Sequence, residues 1–156
     1  MRVWGAIVVL CIGFTSVQAR TATGYRHGQR TRIRLVEVSG VELEASTARA
    51  FRAMAAAARK KGLELAIRSG FRSHEEQKQL YRDYQRGWGH LAARPGYSNH
   101  QSGKAVDIFI DDYRVYEWLK QHAGEFGFRR TVRREAWHWE YVGGERAARR
   151  AGSPRK

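Results

Sequence analysis

The sequence predicts an α+β fold, a small antiparallel sheet flanked by helices. Three observations lead there. Helical and strand periodicities alternate along the chain as helix, strand, helix, long loop, strand, helix, strand. The 156 residues suit one domain. With 42% hydrophobic and 28% charged residues, the chain has the apolar side chains for a core, and bulk disorder is excluded.

The elements follow in order. Residues 1–19 read as an export signal. Arg2 supplies a positive start, residues 3–14 are apolar apart from Gly5 and Gly13, and Val17-Gln18-Ala19 is a small-residue cleavage pattern. The apolar run is short for a membrane span, which takes about 20 residues. Residues 20–45 read as a basic N-terminal arm, with 20–36 a flexible arm or an edge segment carrying Gly24 and Gly28. Residues 46–61 form a helix, because Phe51, Met54, Ala55 and Ala58 share one apolar face. Arg59, Lys60 and Lys61 suit its last turn, and Gly62 stops it. Residues 63–67 alternate like a strand, and Ser69-Gly70 is a turn signal.

Ser73-His74-Glu75-Glu76 is a capping box. The helix behind it presents Gln77, Leu80, Tyr81 and Tyr84 on one face, and Gly87 ends it. Residues 88–103 make a loop long enough to suggest a functional segment. Residues 105–110 form a second strand. Asp111 or Asp112 caps a third helix, with Val115, Trp118, Leu119 and His122 on its face and Gly124 and Gly127 at its close. Residues 137–142 are the last strand, and 146–156 a basic tail. The catalytic domain is placed at 46–145.

Charge and cysteine content narrow the setting. Lys and Arg number 29 against 15 Asp and Glu, a net charge of +14. Cleavage after Ala19 removes only Arg2 from this count and leaves 137 residues at +13. Cys11 is the only cysteine, so an intrachain disulfide and a cysteine-ligated metal are both excluded. An exported chain of this kind fits a bacterial envelope, periplasmic or secreted. Its positive surface attracts polyanions, and charge alone does not choose among nucleic acid, anionic lipid and acidic wall polymers.

Four residues carry the chemistry. Asp107 lies within the apolar run of residues 105–110. A carboxylate there is costly unless it is paired or metal-bound; a sheet-edge Asp facing water is the other reading. His100 ends the Gly-rich loop. His138 stands between Trp137 and Trp139, which are expected to shield it from water. A shielded neutral imidazole is a good metal ligand. Two His and one Asp make a catalytic zinc set with one position left for water. Glu135 could take a proton from that water. Residues three apart on a strand face opposite sides, so Glu135 must lie in a turn before the strand. Its other reading is a surface ion pair with Arg133 and Arg134. The helical His-Glu-x-x-His motif, the Cys pair of zinc deaminases, the Gly-x-Ser-x-Gly elbow and the phosphate-binding loop are all absent.

The run Ser98-Asn99-His100-Gln101-Ser102-Gly103-Lys104-Ala105-Val106-Asp107 matches Ser-x-His-x-x-Gly-x-Ala-x-Asp. Glu135-Ala136-Trp137-His138 matches Glu-x-Trp-His. Ser69-Gly70-Phe71-Arg72-Ser73 and Gln77 complete the set. In these residues the chain resembles the VanY-type D-alanyl-D-alanine carboxypeptidases, within the LAS group of zinc peptidases, over about residues 46–142. The resemblance implies a hedgehog/D,D-peptidase-like fold with the zinc site at the sheet. His100, Asp107 and His138 would hold Zn2+. Glu135 would activate the water and later protonate the leaving amine. Arg72 would stabilise the carbonyl oxygen or clamp a substrate carboxylate, with Arg68 a second candidate for that work. Gln77 and Ser98 would help seat the substrate.

Two positions depart from the pattern. Ala136 stands where many relatives have Pro, which is expected to loosen the Glu135 turn. Glu140 stands where many have a basic residue, which is expected to change the charge near the substrate. The implied activity removes terminal D-alanine from peptidoglycan stem peptides. A peptidoglycan endopeptidase of the same group and a non-catalytic basic polyanion-binding module are the alternatives. Anionic envelope polymers are further expected partners. Nucleic acid and a membrane span after cleavage are not expected, and a monomer is.

Overall fold

The computed structural model describes residues 19–143 and has the α+β architecture. The export signal and the basic tail lie outside the described residues, apart from Ala19. The chain opens with three strands, β1 (Ala19–Arg26), β2 (Gln29–Val38) and β3 (Val41–Glu44), in an antiparallel sheet of that order. Helix α1 (Ala45–Arg59) follows, then β4 (Ile67–Ser69) and α2 (His74–Gln85). Next come β5 (Ala105–Ile108), α3 (Tyr113–His122), β6 (Phe128–Arg129) and β7 (His138–Tyr141). These last four strands form a second sheet in the order β4-β5-β7-β6, all antiparallel. Among the described residues no helix is long and apolar enough to cross a membrane.

The segment expected as a flexible arm or an edge segment is part of this first sheet, with β1 at its edge and β2 at its centre. Two tight hairpins build it. Arg26 pairs with Gln29 and Val38 with Val41, leaving two-residue turns at His27-Gly28 and Ser39-Gly40. All four turn residues have positive φ, between 50° and 80°, the conformation whose twist matches that of paired strands. Ile33, Leu35 and Leu43 are buried from these strands, so the sheet contributes apolar surface rather than hanging free.

Helix α1 packs the helical face read from the sequence. Phe51, Met54 and Ala58 are buried among Leu43, Val106, Ile108, Leu119, Phe126, Phe128 and Trp139. The Phe51 and Phe128 rings meet edge to face, with centroids 6.5 Å apart. The helix starts one residue earlier than its periodicity suggests, because Glu44 caps it and accepts hydrogen bonds from the amides of Ser46 and Thr47 at 3.0 and 3.3 Å. Ser73 and Glu76 close the expected capping box on α2.

Three local expectations are corrected. Residues 63–66 alternate in burial, but the strand begins only at Ile67, with the Ala66 carbonyl alone accepting from across the sheet, from the Phe109 amide at 2.9 Å. The second strand stops at Ile108, where Phe109 turns out to solvent. The expected apolar face of α2 buries only Gln77, while Leu80 and Tyr84 are 41% and 39% exposed. Helix α2 is held at its polar start rather than by an apolar stripe.

Candidate metal centre and catalytic cleft

The centre is assembled where β5 meets β7. Asp107 pairs directly with His138 across the two strands, so both side chains leave the same face of the sheet. His100 arrives from a 3-10 turn, Asn99–Ser102, just before β5. Gly103 closes that turn at φ +69°, and a Cβ there would lie 2.8 Å from the Glu44 amide nitrogen. Only glycine fits both demands. The Gly103 carbonyl then accepts from the Glu44 amide at 2.9 Å, tying the His100 turn to the first sheet.

The three side chains converge. His138 Nδ1 lies 2.9 Å from Asp107 Oδ1, and His100 Nε2 lies 3.4 Å from the same oxygen. One donor atom from each falls within 4.8 Å of the others. The outward nitrogens are engaged elsewhere. His100 Nδ1 is 2.7 Å from the Gly70 carbonyl oxygen, and His138 Nε2 is 3.1 Å from Glu140 Oε1. Carbonyl and carboxylate only accept, so these outer nitrogens carry hydrogen, while His100 Nε2 and His138 Nδ1 converge on the Asp107 carboxylate, where each would present a lone pair once a metal displaces its hydrogen. Gly70 is needed for this approach, because a Cβ there would lie 2.5 Å from the Glu42 carbonyl oxygen.

The electrostatics favour a cation. Burial opposes charge on His138, yet its hydrogen bonds to Asp107 and Glu140 prevail and raise its pKa to about 9. Burial likewise opposes charge on Asp107, and hydrogen bonds from His100 and His138 hold its carboxyl well below the usual carboxylate range. The pocket therefore retains positive charge between two carboxylates. A bound cation would take over the charge that the imidazolium carries, and the N, N, O donor set, with its outer nitrogens held by acceptors, fits a zinc ion.

His138 is 5% exposed, but the shielding differs from expectation. Strand alternation sends Trp139 to the opposite face, into the core. The packing around His138 comes from Asp107, Glu140 and the His100 ring, whose centroid is 5.1 Å away.

Glu135 sits in the turn before β7, with Oε2 3.9 Å from His138 Nδ1 and a side chain 38% exposed. It is thus beside the centre and open to water. Two bonds close the turn around Ala136: the His138 amide donates to the Glu135 carbonyl at 3.3 Å, and Trp139 Nε1 donates to the Ala136 carbonyl at 3.1 Å.

Arg72 reaches the same region from the segment before α2. Its amide donates to the His100 carbonyl at 3.2 Å, and its Nη1 donates to Gln77 Oε1 at 3.1 Å. Gln77 is 1% exposed, and its Nε2 donates to the Ala93 carbonyl at 2.8 Å. Both ends of this amide are therefore engaged, aiming Arg72 and anchoring the loop of residues 88–97. Ser98 is buried at the start of the His100 turn, where its carbonyl accepts from the Gln101 amide at 3.1 Å. Arg68 is exposed on β4 and stands apart from this network. Sequence reasoning missed the second partners of the histidines, Gly70 and Glu140. Alternation along β7 offered one signal, since Glu140 lies two residues from His138 and on its face.

Comparison with known proteins supplies the lineage. The family model described as VanY, D-alanyl-D-alanine carboxypeptidase, matches residues 40–144. A D-alanyl-D-alanine carboxypeptidase of Enterococcus faecalis is 33% identical in a 122-residue alignment, with 60% of this chain and 46% of that protein covered. The chain thus spans less than half the length of that curated relative. Among solved structures, VanYB in complex with D-alanine-D-alanine superposes with a TM-score of 0.64 at 28% identity, covering 76% of this chain and 82% of the other. A mutant of the vancomycin-resistance D,D-pentapeptidase VanY in complex with Zn(II) gives a TM-score of 0.62 at 27% identity, covering 78% and 85%. On the extent of the family match, and with the centre placed as described, this chain belongs to the VanY family of D-alanyl-D-alanine carboxypeptidases.

Proposed function

We propose that the chain is a zinc D-alanyl-D-alanine carboxypeptidase that removes terminal D-alanine from peptidoglycan stem peptides. The observation that carries this reading is the convergence of His100, Asp107 and His138, with the Glu135 carboxylate 3.9 Å from His138 Nδ1. His100 through Nε2, Asp107 through its carboxylate and His138 through Nδ1 would hold the ion. Zinc, when bound, supplies Lewis acidity toward a water and toward the scissile carbonyl.

The chain's own residues do the rest. Glu135 takes a proton from the attacking water and returns it to the leaving amine nitrogen. Arg72 offers a fixed guanidinium to the developing oxyanion or to the substrate's terminal carboxylate. Gln77 keeps that guanidinium aimed, and Ser98 contributes to the substrate seat beside His100.

The test is digestion of pentapeptide- and tetrapeptide-bearing muropeptides, with and without a chelator, read by mass. Loss of one alanine from the pentapeptide, abolished by chelator and restored by zinc, is the expected result. Cleavage within the stem or cross-link, with the same metal dependence, would move the enzyme to the endopeptidase class. No cleavage by folded, zinc-loaded protein would overturn the enzymatic reading in favour of a polyanion-binding module.

Export and envelope attachment belong to the same proposal. Residues 1–19 act as the export signal, and amino-terminal sequencing of the mature protein should begin at Arg20. Residues 19–36 contain five Arg and no carboxylate. Arg30, Arg32 and Arg34 alternate along β2, all exposed, opposite Tyr25, Thr23 and Thr21. This face would hold the enzyme to anionic envelope polymers. Replacing the three arginines by Ser should abolish salt-sensitive retention on polymer-bearing walls while leaving turnover of a small soluble peptide intact.

A further inference from the structure

Glu140 is the one carboxylate of the centre that the proposed reaction does not use. It lies two residues beyond His138 on β7, on the same face, with a side chain 14% exposed. Its Oε1 lies 3.1 Å from His138 Nε2. The same oxygen accepts hydrogen bonds from Asn99 Nδ2 and Thr131 Oγ1. Asn99 adjoins His100 in the 3-10 turn, and Thr131 lies on the segment leading to Glu135. One partly buried oxygen therefore joins a ligand histidine to the two segments that carry another ligand and the proposed base.

We propose that Glu140 is the positioning residue of the metal centre. It accepts the Nε2 hydrogen of His138, so that Nδ1 faces the Asp107 side of the centre and offers its lone pair to the ion when the metal binds. Its bonds to Asn99 and Thr131 hold the flanking segments at the spacing the centre needs. A rotated or flipped imidazole would present a hydrogen where a lone pair is required. A basic side chain at this position has no lone pair to offer Nε2, so the arrangement depends on this chain's own carboxylate. Glu140 thus acts through His138, rather than on the charge felt by the substrate.

The inference rests on the metal-centre reading, and the experiment separates the two. Zinc affinity is measured by competition with a chromophoric chelator on the wild type and on Glu140→Ala and Glu140→Gln. Each protein is also loaded with cobalt(II), and its visible spectrum is recorded. The wild type should bind one zinc. Glu140→Ala should lose about 10–100-fold in affinity and shift the cobalt bands while keeping its far-ultraviolet circular dichroism. Glu140→Gln keeps an acceptor oxygen and should recover part of the loss.

Should the alanine variant fail to fold, Glu140→Met fills the volume without an acceptor and is read in the same way. Unchanged affinity and an unchanged cobalt spectrum in the folded acceptor-free variant would overturn the role of Glu140 and leave the metal centre standing. A folded wild type that binds no zinc would overturn both.

Discussion

Replacing Glu135 by Gln tests the division of labour between ligands and base. The side chain keeps its size, and the turn is held by backbone bonds, Glu135 amide to Val132 carbonyl and His138 amide to Glu135 carbonyl, at 3.2 and 3.3 Å. Neither involves the carboxylate. With Oε2 3.9 Å from His138 Nδ1 and 38% of the side chain exposed, Glu135 stands beside the ligand set, and solvent screens its charge. Zinc affinity should therefore stay within about tenfold of wild type, since loss of one screened neighbouring charge is worth roughly 1 kcal/mol. Turnover should behave differently. A positioned general base contributes about 10²–10⁴-fold, or about 3–5 kcal/mol of barrier. The assay is release of free D-alanine from a stem pentapeptide, with bound zinc quantified in the same preparation. A Gln variant that retains zinc and works within tenfold of wild type would refute the assignment of the base. A variant that loses both zinc and activity would show that Glu135 belongs to the ligand set.

Three further outcomes are expected. Arg72→Ala should lower kcat/KM by about 10²–10³-fold with zinc retained, because a fixed donor to the developing charge is lost; unchanged peptide kinetics would assign Arg72 to structure alone. Gly103→Ala must place a Cβ 2.8 Å from the Glu44 amide nitrogen at φ +69°, so thermal unfolding should show a loss of about 2 kcal/mol, together with weaker zinc binding as the His100 turn shifts. Burial opposes charge on Glu44, but hydrogen bonds from Ser46 and Thr47 hold its pKa below the ordinary value of 4.5. Its contribution as cap is then complete above about pH 4.5 and fades as pH falls through the lowered folded value. In urea unfolding, the gap between wild type and Glu44→Ala should be about 1 kcal/mol at pH 6 and should narrow in acid; a gap independent of pH would argue against the capping charge.

Local signals in the chain were enough for the elements that depend on local physics. The spacing of Phe51, Met54 and Ala58 marks α1 because one helical face must be apolar wherever it packs. The Ser73 and Glu76 pair marks the start of α2 because its bonds close within four residues. Asp107 in an apolar strand, with His100 and His138 nearby in type, marks the chemistry because an unpaired carboxylate in that setting is costly.

Tertiary structure decided the rest. The first sheet was read as an arm because residues 20–36 are rich in arginine and carry Gly24 and Gly28, and its stability comes from the pairing of its strands and burial of Ile33, Leu35 and Leu43. A two-residue strand such as β6 is too short to show any period and exists through its pairing with β7. Gln77 looked like part of an apolar face or a substrate contact, and only packing showed its Nε2 committed to the Ala93 carbonyl. Trp139 and Glu140 exchange their expected places for the same reason: alternation on β7 turns the indole to the core and the carboxylate to His138. By itself, the sequence determined which chemical groups the protein owns and where its helices run, because those follow from composition and short-range spacing. Which nitrogen faces the centre, and which carboxylate sets it, were decided by strands and turns far apart in the chain, because a hydrogen bond depends on position and direction in space.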